Sequence, residues 1–205
     1  MERELEARVR EAAAALRRGG IVAYPTETFY GLGALARDAA AVERLARAKG
    51  RPDGKPLPLV AADRAAVELV AVVDGVAARL ADRFWPGPLT LVLPARPGLP
   101  APVTAGTGTV GIRVPGGEVA RALSREAGGA IVSTSANLGG APPPDRAEAL
   151  APELRARLDH VLDAGPAPGG LPSTVVVVEG GTLRLVRAGA VPFEALERAL
   201  RAAER

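Results

Sequence analysis

Apolar residues follow two spacings along the chain, one typical of helices and one typical of buried strands. The first helix carries its apolar residues on one face from Leu5 to Leu16 and ends at Gly19-Gly20. Asp38 is placed to cap the next helix. Further helices are predicted after Asp63 and at 76–84 and 118–127, and strands at 21–24, 57–61, 89–93, 109–114 and 130–135. The stretch 94–108, rich in Pro and Gly, is predicted to be a loop.

The C-terminal part of the chain is predicted to be a β-hairpin followed by a helix. The strands Thr174–Glu179 and Thr182–Arg187 are joined by Gly180-Gly181, a strong signal for a two-residue turn. Pro192 suits the first turn of the last helix. Alternating helices and strands followed by a hairpin predict a mixed α/β sheet. Because no repeat or linker divides the chain, we expect one domain over residues 1–205.

Composition excludes several kinds of chemistry. The chain has no cysteine, which excludes disulfides, thiolate metal sites and a cysteine nucleophile. The one histidine, His160, cannot form a multi-histidine metal site and is expected to be an ordinary histidine at a strand end. The net charge of +3 permits an anionic substrate or RNA without requiring either. The first helix is charged, unlike a signal peptide, and no apolar run approaches the roughly 20 residues of a membrane span, so we expect a cytosolic protein without membrane contact.

Two candidate ligand segments follow predicted strands or helices in the first part of the chain. The segment 25–33 (PTETFYGLG) places hydroxyls and a carboxylate directly after a strand, where ligands of α/β proteins bind. It could hold a small polar ligand or form a turn with capping threonines. The segment 49–56 carries Lys49, Arg51 and Lys55 in a loop rich in Gly and Pro. Such cations suit a polyphosphate, with a solvated basic loop as the alternative.

A third candidate segment is 131–140, where an apolar strand leads into Ser133, Ser135 and Asn137. Its hydroxyls, amide and glycines resemble an anion-binding nest, although a strand end with turn residues explains the same pattern. The chain contains neither a G-x-x-x-x-G-K-[ST] phosphate loop nor a G-x-G-x-x-G sequence that opens a helix after a strand. A nucleotide would therefore be bound by separated cations and by loops at strand ends.

The fourth candidate set is scattered over the C-terminal half. Thr109 and Arg113 are four residues apart on one strand, so alternation puts both on the same sheet face. Ser173 precedes the first hairpin strand and Arg187 closes the second. Each arginine taken singly is more typical of the surface than of a ligand site. The residues alone thus indicate an α/β protein that handles anions.

Seven motifs, in their order along the chain, resemble those of the threonylcarbamoyl-AMP synthase family of the YrdC type. They are PTET-x-YGLG at 25–33, K-x-R at 49–51, WPGPLT at 85–90, T-x-x-x-R-x-P at 109–115, S-x-S-A-N-x-x-G at 133–140, PSTVV at 172–176 and R-x-G at 187–189. K-x-R alone would mean little, but seven motifs in one order are highly specific. Longer members of the family carry a second C-terminal domain, and we expect the single-domain form here.

The resemblance implies a twisted, mixed α/β sheet around a large basic central cavity. It implies an L-threonylcarbamoyladenylate synthase, which joins L-threonine, bicarbonate and ATP and releases pyrophosphate, for the threonylcarbamoyladenosine modification of tRNA. The threonine amine takes up bicarbonate, and the resulting N-carboxylate attacks the α-phosphorus of ATP. This chemistry needs positioning and charge neutralisation but no protein nucleophile, which suits a chain without cysteine. Mg²⁺ on the phosphates, a downstream threonylcarbamoyl transferase machinery and a weak contact with tRNA are also implied.

The resemblance also assigns residues to the two substrates. Residues that match ATP contacts are Arg51, Lys55, Thr109, Ser135, Asn137, Pro143 through its backbone, and Arg187. Residues that match threonine contacts are Thr28, Arg113, Ser133 and Ser173, with Arg113 as partner of the carboxylate. Lys49 and Arg51 form the pair to which we assign catalysis. One position departs from the family: where a polar residue, often histidine, is common, this chain has Val60, which we leave out of the site.

Two other functions remain compatible with the same fold. A catalytically inactive paralogue would act as an RNA-binding or ribosome-associated module. The intact K-x-R and S-x-N pairs argue against it, as does an aromatic content of 3%, since such modules use exposed aromatics. The carbamoyl-transfer domain of hydrogenase maturation enzymes belongs to much longer chains with cysteine-rich zinc motifs, and this chain has no cysteine. The synthase is therefore the expected function.

Overall fold

Helices account for much of the computed structural model, which describes residues 2–50, 54–179 and 181–202. The α-helices of these ranges are α1 (Arg3–Arg17), α2 (Ala39–Ala48), α3 (Arg64–Glu68), α4 (Gly75–Phe84), α5 (Ala101–Thr104), α6 (Glu118–Ala127), α7 (Pro152–Arg155) and α8 (Phe193–Ala202). A single 3₁₀ turn covers Ala147–Ala149. Among the described helices, none is long and apolar enough to cross a membrane.

The strands form two mixed sheets. They are β1 (Val22–Pro25), β2 (Tyr30–Gly33), β3 (Leu59–Val60), β4 (Leu89–Pro94), β5 (Thr109–Arg113), β6 (Ile131–Val132), β7 (Thr134–Ser135), β8 (His160–Val161), β9 (Thr174–Glu179) and β10 (Thr182–Arg187). The four-stranded sheet has the order β7-β2-β1-β8, and the six-stranded sheet has the order β10-β9-β4-β5-β3-β6. Both sheets contain parallel and antiparallel pairs.

Helix starts follow the capping chemistry of the sequence. The Asp38 carboxylate accepts a hydrogen bond from Ala41 N at 3.0 Å, which satisfies one of the free amides that begin α2. Asp63 accepts from Ala66 N at 2.9 Å and caps α3 in the same way. Both caps confirm the helix starts predicted at these aspartates. Lys49 is the C-terminal cap residue of α2, so the end of this helix sets the position of a predicted site residue.

Alternation along the central strands separates a buried face from a polar one. In β5, Val110 and Ile112 lie in the main core cluster, while Thr109 and Arg113 point to the opposite face. β4 follows the same rule, with its leucines in the main core and Thr90 on the polar face. The predicted site residues of β5 therefore share the face that the main core does not cover.

A second core cluster covers only one end of this polar face. It joins α1 and α6 to Val60 of β3, Ile131 of β6 and Tyr24 of β1. Further along the sheet, Gly111 of β5 and Val175 of β9 remain partly exposed. The change from covered to partly exposed sheet occurs next to Arg113, because Val60 pairs with Arg113.

The predicted single strand at 130–135 is wrong. The chain leaves the six-stranded sheet after β6 and joins the four-stranded sheet at β7, where Gly31 pairs with Ser135. Ser133 lies at the crossing and donates its N–H to Pro58 O at 2.8 Å. A run of apolar and hydroxyl residues contains no signal for a change of partner strand, so the sequence pattern could not distinguish one strand from two.

Two other features differ from the sequence prediction. The segment after β1 continues into β2, which pairs antiparallel with β1. The predicted loop 94–108 contains the short helix α5. His160 lies at a strand end as predicted, since it begins β8, a strand parallel to β1. The C-terminal hairpin is confirmed, with Thr182 paired to Glu179, and so is the mixed α/β fold, here with its strands divided between two sheets.

Candidate functional site

Arg187 reaches the polar face through a β-bulge in the edge strand β10. Leu185 pairs with Val176, but Arg187 pairs with Val175, so that Val186 is an extra residue. Without the extra residue, Arg187 would lie on the same face as Leu185. The bulge instead puts it on the face of Val175, whose other cross-strand neighbour is Thr90.

The Arg187 guanidinium is held against Ser173. Its Nε and Nη2 donate to Ser173 O at 3.2 and 2.8 Å, and Nη2 also donates to Ser173 Oγ at 3.0 Å. Ser173 Oγ lies 2.9 Å from Thr90 Oγ1, and both of these hydroxyl residues are buried. Partial burial and the nearby charge of Arg113 lower the pKa of Arg187. Two guanidinium groups are thus close enough to influence each other, an arrangement that favours an anionic ligand.

Arg113 is paired with Glu27 at the end of β5. Its Nε donates to Glu27 Oε1 at 3.1 Å, and both side chains are largely buried, with 9% and 16% of their surface exposed. In the described part of the chain, this is the only hydrogen bond of the Arg113 guanidinium. Its two terminal nitrogens remain available for a planar, two-oxygen anion such as a carboxylate.

The hydroxyl group of Ser133 lies beside Tyr24 at the crossing between the sheets. A Cβ on Gly31 would stand 3.7 Å from both Ser133 Oγ and the Tyr24 ring, so glycine leaves room for the two groups. Tyr24 donates to Val132 O at 3.1 Å. Burial raises the pKa of the Tyr24 phenol, with smaller opposing effects from Ser133 and from the charge of Arg113.

The turn at 135–137 is tied to the end of α2 by Lys49. The ammonium donates to Ser135 O at 2.7 Å, to Asn137 Oδ1 at 3.2 Å, and to Asn137 O. Ser135 Oγ donates to the same Asn137 Oδ1 at 2.5 Å. Three acceptors match the three donors of a lysine ammonium. Lys49, predicted to be catalytic, is therefore placed where it shapes the turn that carries two predicted ATP contacts.

The other predicted ATP contacts lie in separate segments of the chain, and the loop that carries Pro143 is bonded to Asn137 through Ala141 O. Thr109 Oγ1 is 2.8 Å from Thr107 Oγ1 at the opposite end of β5 from Arg113. Pro143 is partly exposed and precedes Pro144, whose carbonyl accepts from Tyr30 N at 2.9 Å. Lys55 is exposed. Arg51 lies outside the described residues.

Thr28 is placed in the short connection between β1 and β2. Its Oγ1 lies 3.1 Å from Thr26 Oγ1, and its carbonyl accepts from Gly169 N at 2.7 Å. This contact brings the loop before Ser173 next to the β1–β2 connection. Of the predicted threonine contacts, Arg113, Ser133 and Ser173 are buried, whereas Thr28 is partly exposed.

Three residues that the sequence prediction left out contact the site. Glu27 pairs with Arg113, Thr90 with Ser173, and Tyr24 lies beside Ser133. Glu27 and Thr90 lie inside the motifs 25–33 and 85–90, so these motifs could have identified both residues from the sequence. Val60 is fully buried in the second core cluster with Tyr24, which gives its apolar side chain a packing role next to Arg113.

A separate open depression of about 350 Å³ lies on another part of the surface. It is lined by Ile21, Arg44, Arg47, Ala48 and Arg157. Arg44 is paired with Asp159 at 2.8 Å and Arg157 donates to Ala48 O at 2.8 Å, so these arginines already have partners. The large basic central cavity expected from the resemblance stays a prediction. No group of three or more His, Cys, Asp or Glu residues able to hold a metal ion occurs in the described ranges.

The fold and the site define a class: a mixed α/β protein that places guanidinium groups and hydroxyls on one face of the six-stranded sheet and has a lysine-held turn after β7. The family model for Sua5, YciO and YrdC, described as telomere recombination, matches residues 14–189. The chain belongs to this family.

Curated relatives share much of the sequence. The chain is 44% identical to the threonylcarbamoyl-AMP synthase of Bacillus subtilis over 191 residues. These residues make up 92% of this chain and 55% of the relative. The Pyrococcus abyssi synthase is 40% identical over 200 residues, or 97% of this chain and 59% of the relative. The chain thus spans somewhat more than half the length of these two relatives. The Idiomarina loihiensis synthase is 40% identical over 171 residues, which make up 81% of this chain and 91% of the relative.

Solved structures agree with the family and the fold. P. abyssi Sua5 complexed with L-threonine matches with a TM-score of 0.88 and 40% identity over 95% of this chain and 57% of that one. Escherichia coli YciO matches with a TM-score of 0.82 and 30% identity over 93% of each chain. The mixed α/β fold is therefore shared with both of these structures.

Proposed function

We propose that this protein is an L-threonylcarbamoyladenylate synthase, which makes threonylcarbamoyl-AMP and pyrophosphate from L-threonine, bicarbonate and ATP. The observation that carries the proposal is the placement of Arg113 and Arg187 on one polar sheet face, with Arg187 held against the buried Ser173. Relatives named as this synthase, at 40–44% identity, support the same reaction.

Arg113 is proposed to bind the carboxylate of the amino acid. Its two terminal nitrogens are without partners among the described residues, and its Nε is fixed by Glu27. Ser133 and Ser173 offer buried hydroxyls near the two arginines, and Thr28 offers a third at the β1–β2 connection. A pocket of small hydroxyl groups suits the side-chain hydroxyl of threonine.

The nucleotide is proposed to bind on the other side of Ser173 and Ser133. Residues assigned to it are Arg51, Lys55, Thr109, Ser135, Asn137, Pro143 and Arg187. Lys49 acts by holding the 135–137 turn, which makes it a positioning residue in this proposal. Arg187, in contact with Ser173, would stand between the amino acid and the phosphates, where negative charge develops as the carboxylated amine attacks the α-phosphorus.

The reaction proceeds in two steps that need no covalent intermediate with the protein. The threonine nitrogen bonds to the carbon of bicarbonate and water leaves. An oxygen of the new N-carboxylate then bonds to the α-phosphorus of ATP, and the bond to pyrophosphate breaks. The contribution of the protein is to hold two anions together and to neutralise their charge. Mg²⁺ fits as a companion of the ATP phosphates, because such ions use substrate oxygens together with few protein ligands.

The setting of the reaction follows from its substrates. ATP and tRNA are cytosolic, so we place the enzyme in the cytosol. The adenylate would be passed to a threonylcarbamoyl transferase machinery that modifies tRNA, with at most a weak contact between this chain and tRNA itself. We further propose that residues 1–205 act as one domain.

Pyrophosphate release tests the proposal. Purified protein with ATP, Mg²⁺ and bicarbonate should release pyrophosphate when threonine is added, and far less with serine, with valine or without an amino acid. A site built to hydrogen-bond a hydroxyl rejects an isostere without one by up to roughly 10⁴–10⁵. Equal rates with threonine and valine would remove the assignment of the pocket, and no release with threonine would contradict the synthase.

A further inference from the structure

Glu27 has one carboxylate oxygen without a partner in the site. Oε1 accepts from Arg113 Nε at 3.1 Å, whereas Oε2 is buried and accepts no hydrogen bond from the described residues. Leaving a buried acceptor unsatisfied costs free energy, and this cost is greater for a charged group. Glu27 therefore keeps a hydrogen-bond acceptor in the site that the pairing with Arg113 does not use.

The backbone around Glu27 is fixed. Thr26 Oγ1 donates to Phe29 O at 2.8 Å and accepts from Thr28 N at 3.2 Å, which closes a tight turn across Glu27. Gly117 packs over the same segment, since a Cβ there would stand 3.2 Å from Glu27 N. These contacts hold the Glu27 carboxylate next to Arg113.

The ion pair leaves complementary edges on both partners. A guanidinium and a carboxylate commonly form two parallel hydrogen bonds, but here a single bond joins them. The terminal nitrogens of Arg113 and Oε2 of Glu27 are left over, a cationic edge beside an anionic atom. An α-amino acid carries the opposite arrangement, a carboxylate beside an ammonium group.

We propose that Glu27 binds the α-amino group of the amino-acid substrate through Oε2 while its Oε1 positions Arg113 for the carboxylate. This inference rests on the proposed function and adds a residue to it. Because Oε1 already accepts from Arg113 Nε, Oε2 is the oxygen that remains to accept from the ammonium group. The amino acid then supplies the missing partner of the buried oxygen.

Glu27→Gln tests this role with little change of shape. The amide keeps an oxygen for Arg113 Nε, but it presents N–H donors where Oε2 was, and these repel an ammonium group. Calorimetric titration should show threonine binding weakened by roughly ten- to a hundredfold, the range for a hydrogen bond to a charged group. ATP binding should stay at the parental level. Glu43→Gln, at an exposed carboxylate, is the matched control and should bind threonine like the parent.

A ligand without the amine completes the test. β-Hydroxybutyrate keeps the carboxylate and hydroxyl of threonine, so the parent should bind it more weakly than threonine, and Glu27→Gln should lose most of this preference. Parental threonine affinity in a folded Glu27→Gln variant would overturn the inference and leave the proposed function intact. Equal affinity of the parent for both ligands would also overturn it, even if the variant does not fold. A parent that does not bind threonine would contradict the proposed function as well.

Discussion

Charged residues of the site differ from some other charged residues in how their charges are compensated. Arg44 and Arg64, which are not among the predicted site residues, are each paired with a carboxylate. Arg113 forms a single hydrogen bond with the carboxylate of Glu27. Arg187 donates to Ser173 and has no carboxylate partner among the described residues. Cations that lack full compensation favour an anion, whereas fully paired ones do not. Arg113 and Arg187 differ in this way from paired arginines such as Arg44 and Arg64.

The sequence identifies the chemistry of these residues better than their partners. Arg113 and Ser173 could be predicted because each stands in a motif, and Thr109 and Arg113 do share a face. Glu27 stands in such a motif too, but only the folded chain brings it within 3.1 Å of a residue 86 positions away. Partnerships over such separations depend on strand order and register, which a single sequence does not show.

The two tyrosines give a prediction about pH. Burial and the Asp163 carboxylate raise the pKa of Tyr30 to about 12, and burial also raises the pKa of Tyr24. The folded state binds these protons more tightly than the unfolded state does. The contribution of the two tyrosines to the free energy of unfolding is therefore fully present below the unfolded pKa of about 10, and it is lost as the pH rises from there towards the folded pKa. Phenolate absorbance of Tyr30 should therefore appear near pH 12 in the folded protein, that of Tyr24 should also be shifted upward, and both should appear near pH 10 in denaturant. Titration of either tyrosine near pH 10 in the folded protein would contradict its burial.

At the level of elements, the site is assembled where chain segments change partner. β6 and β7 belong to different sheets with Ser133 between them, and the bulge at Val186 places Arg187 on the polar face. Hydrophobic periodicity predicted most helices and the hairpin because each is a local pattern. The strand crossing and the bulge are decided by tertiary pairing, so the sequence pattern did not show them.

Lys49 gives a prediction about the link between two elements. Lys49→Met removes the ammonium that joins the end of α2 to the 135–137 turn and leaves its acceptors without this donor. Charge-assisted hydrogen bonds contribute about 1.5–3 kcal/mol each, so the KM for ATP should rise by roughly tenfold or more. Threonine binding, measured by calorimetry, should change less.

A matched variant on the same helix controls for the loss of a charge. Arg47→Met removes a cation whose side chain is 70% exposed and whose nearest carboxylate atom lies 3.9 Å away. The free energy of unfolding should stay within about 0.5 kcal/mol of the parental value, because such surface pairs contribute little. The KM for ATP should stay close to that of the parent. Equal effects of the two substitutions would show that Lys49 acts only through net charge.

At the scale of the whole molecule, the two sheets share both core clusters. The main cluster contains Ala23 and Leu32 of the four-stranded sheet together with Leu59 and Leu91 of the six-stranded sheet. The second cluster likewise joins Tyr24 to Val60 and Ile131. Neither sheet has a core of its own, which supports the proposal that the chain acts as one domain. Ser133 lies where the chain passes from one sheet to the other, so the position of this predicted site residue depends on their common packing.

The most direct test of the account uses isotopically labelled bicarbonate, threonine, ATP and Mg²⁺ with the purified protein and no tRNA. Mass spectrometry should detect an adenylate that contains threonine, the labelled carbon and AMP, formed together with pyrophosphate. The absence of tRNA is deliberate, because the net charge of +3 gives no reason to expect that tRNA is required. A product without the label, or no adenylate from a folded protein that binds ATP and threonine, would contradict the account.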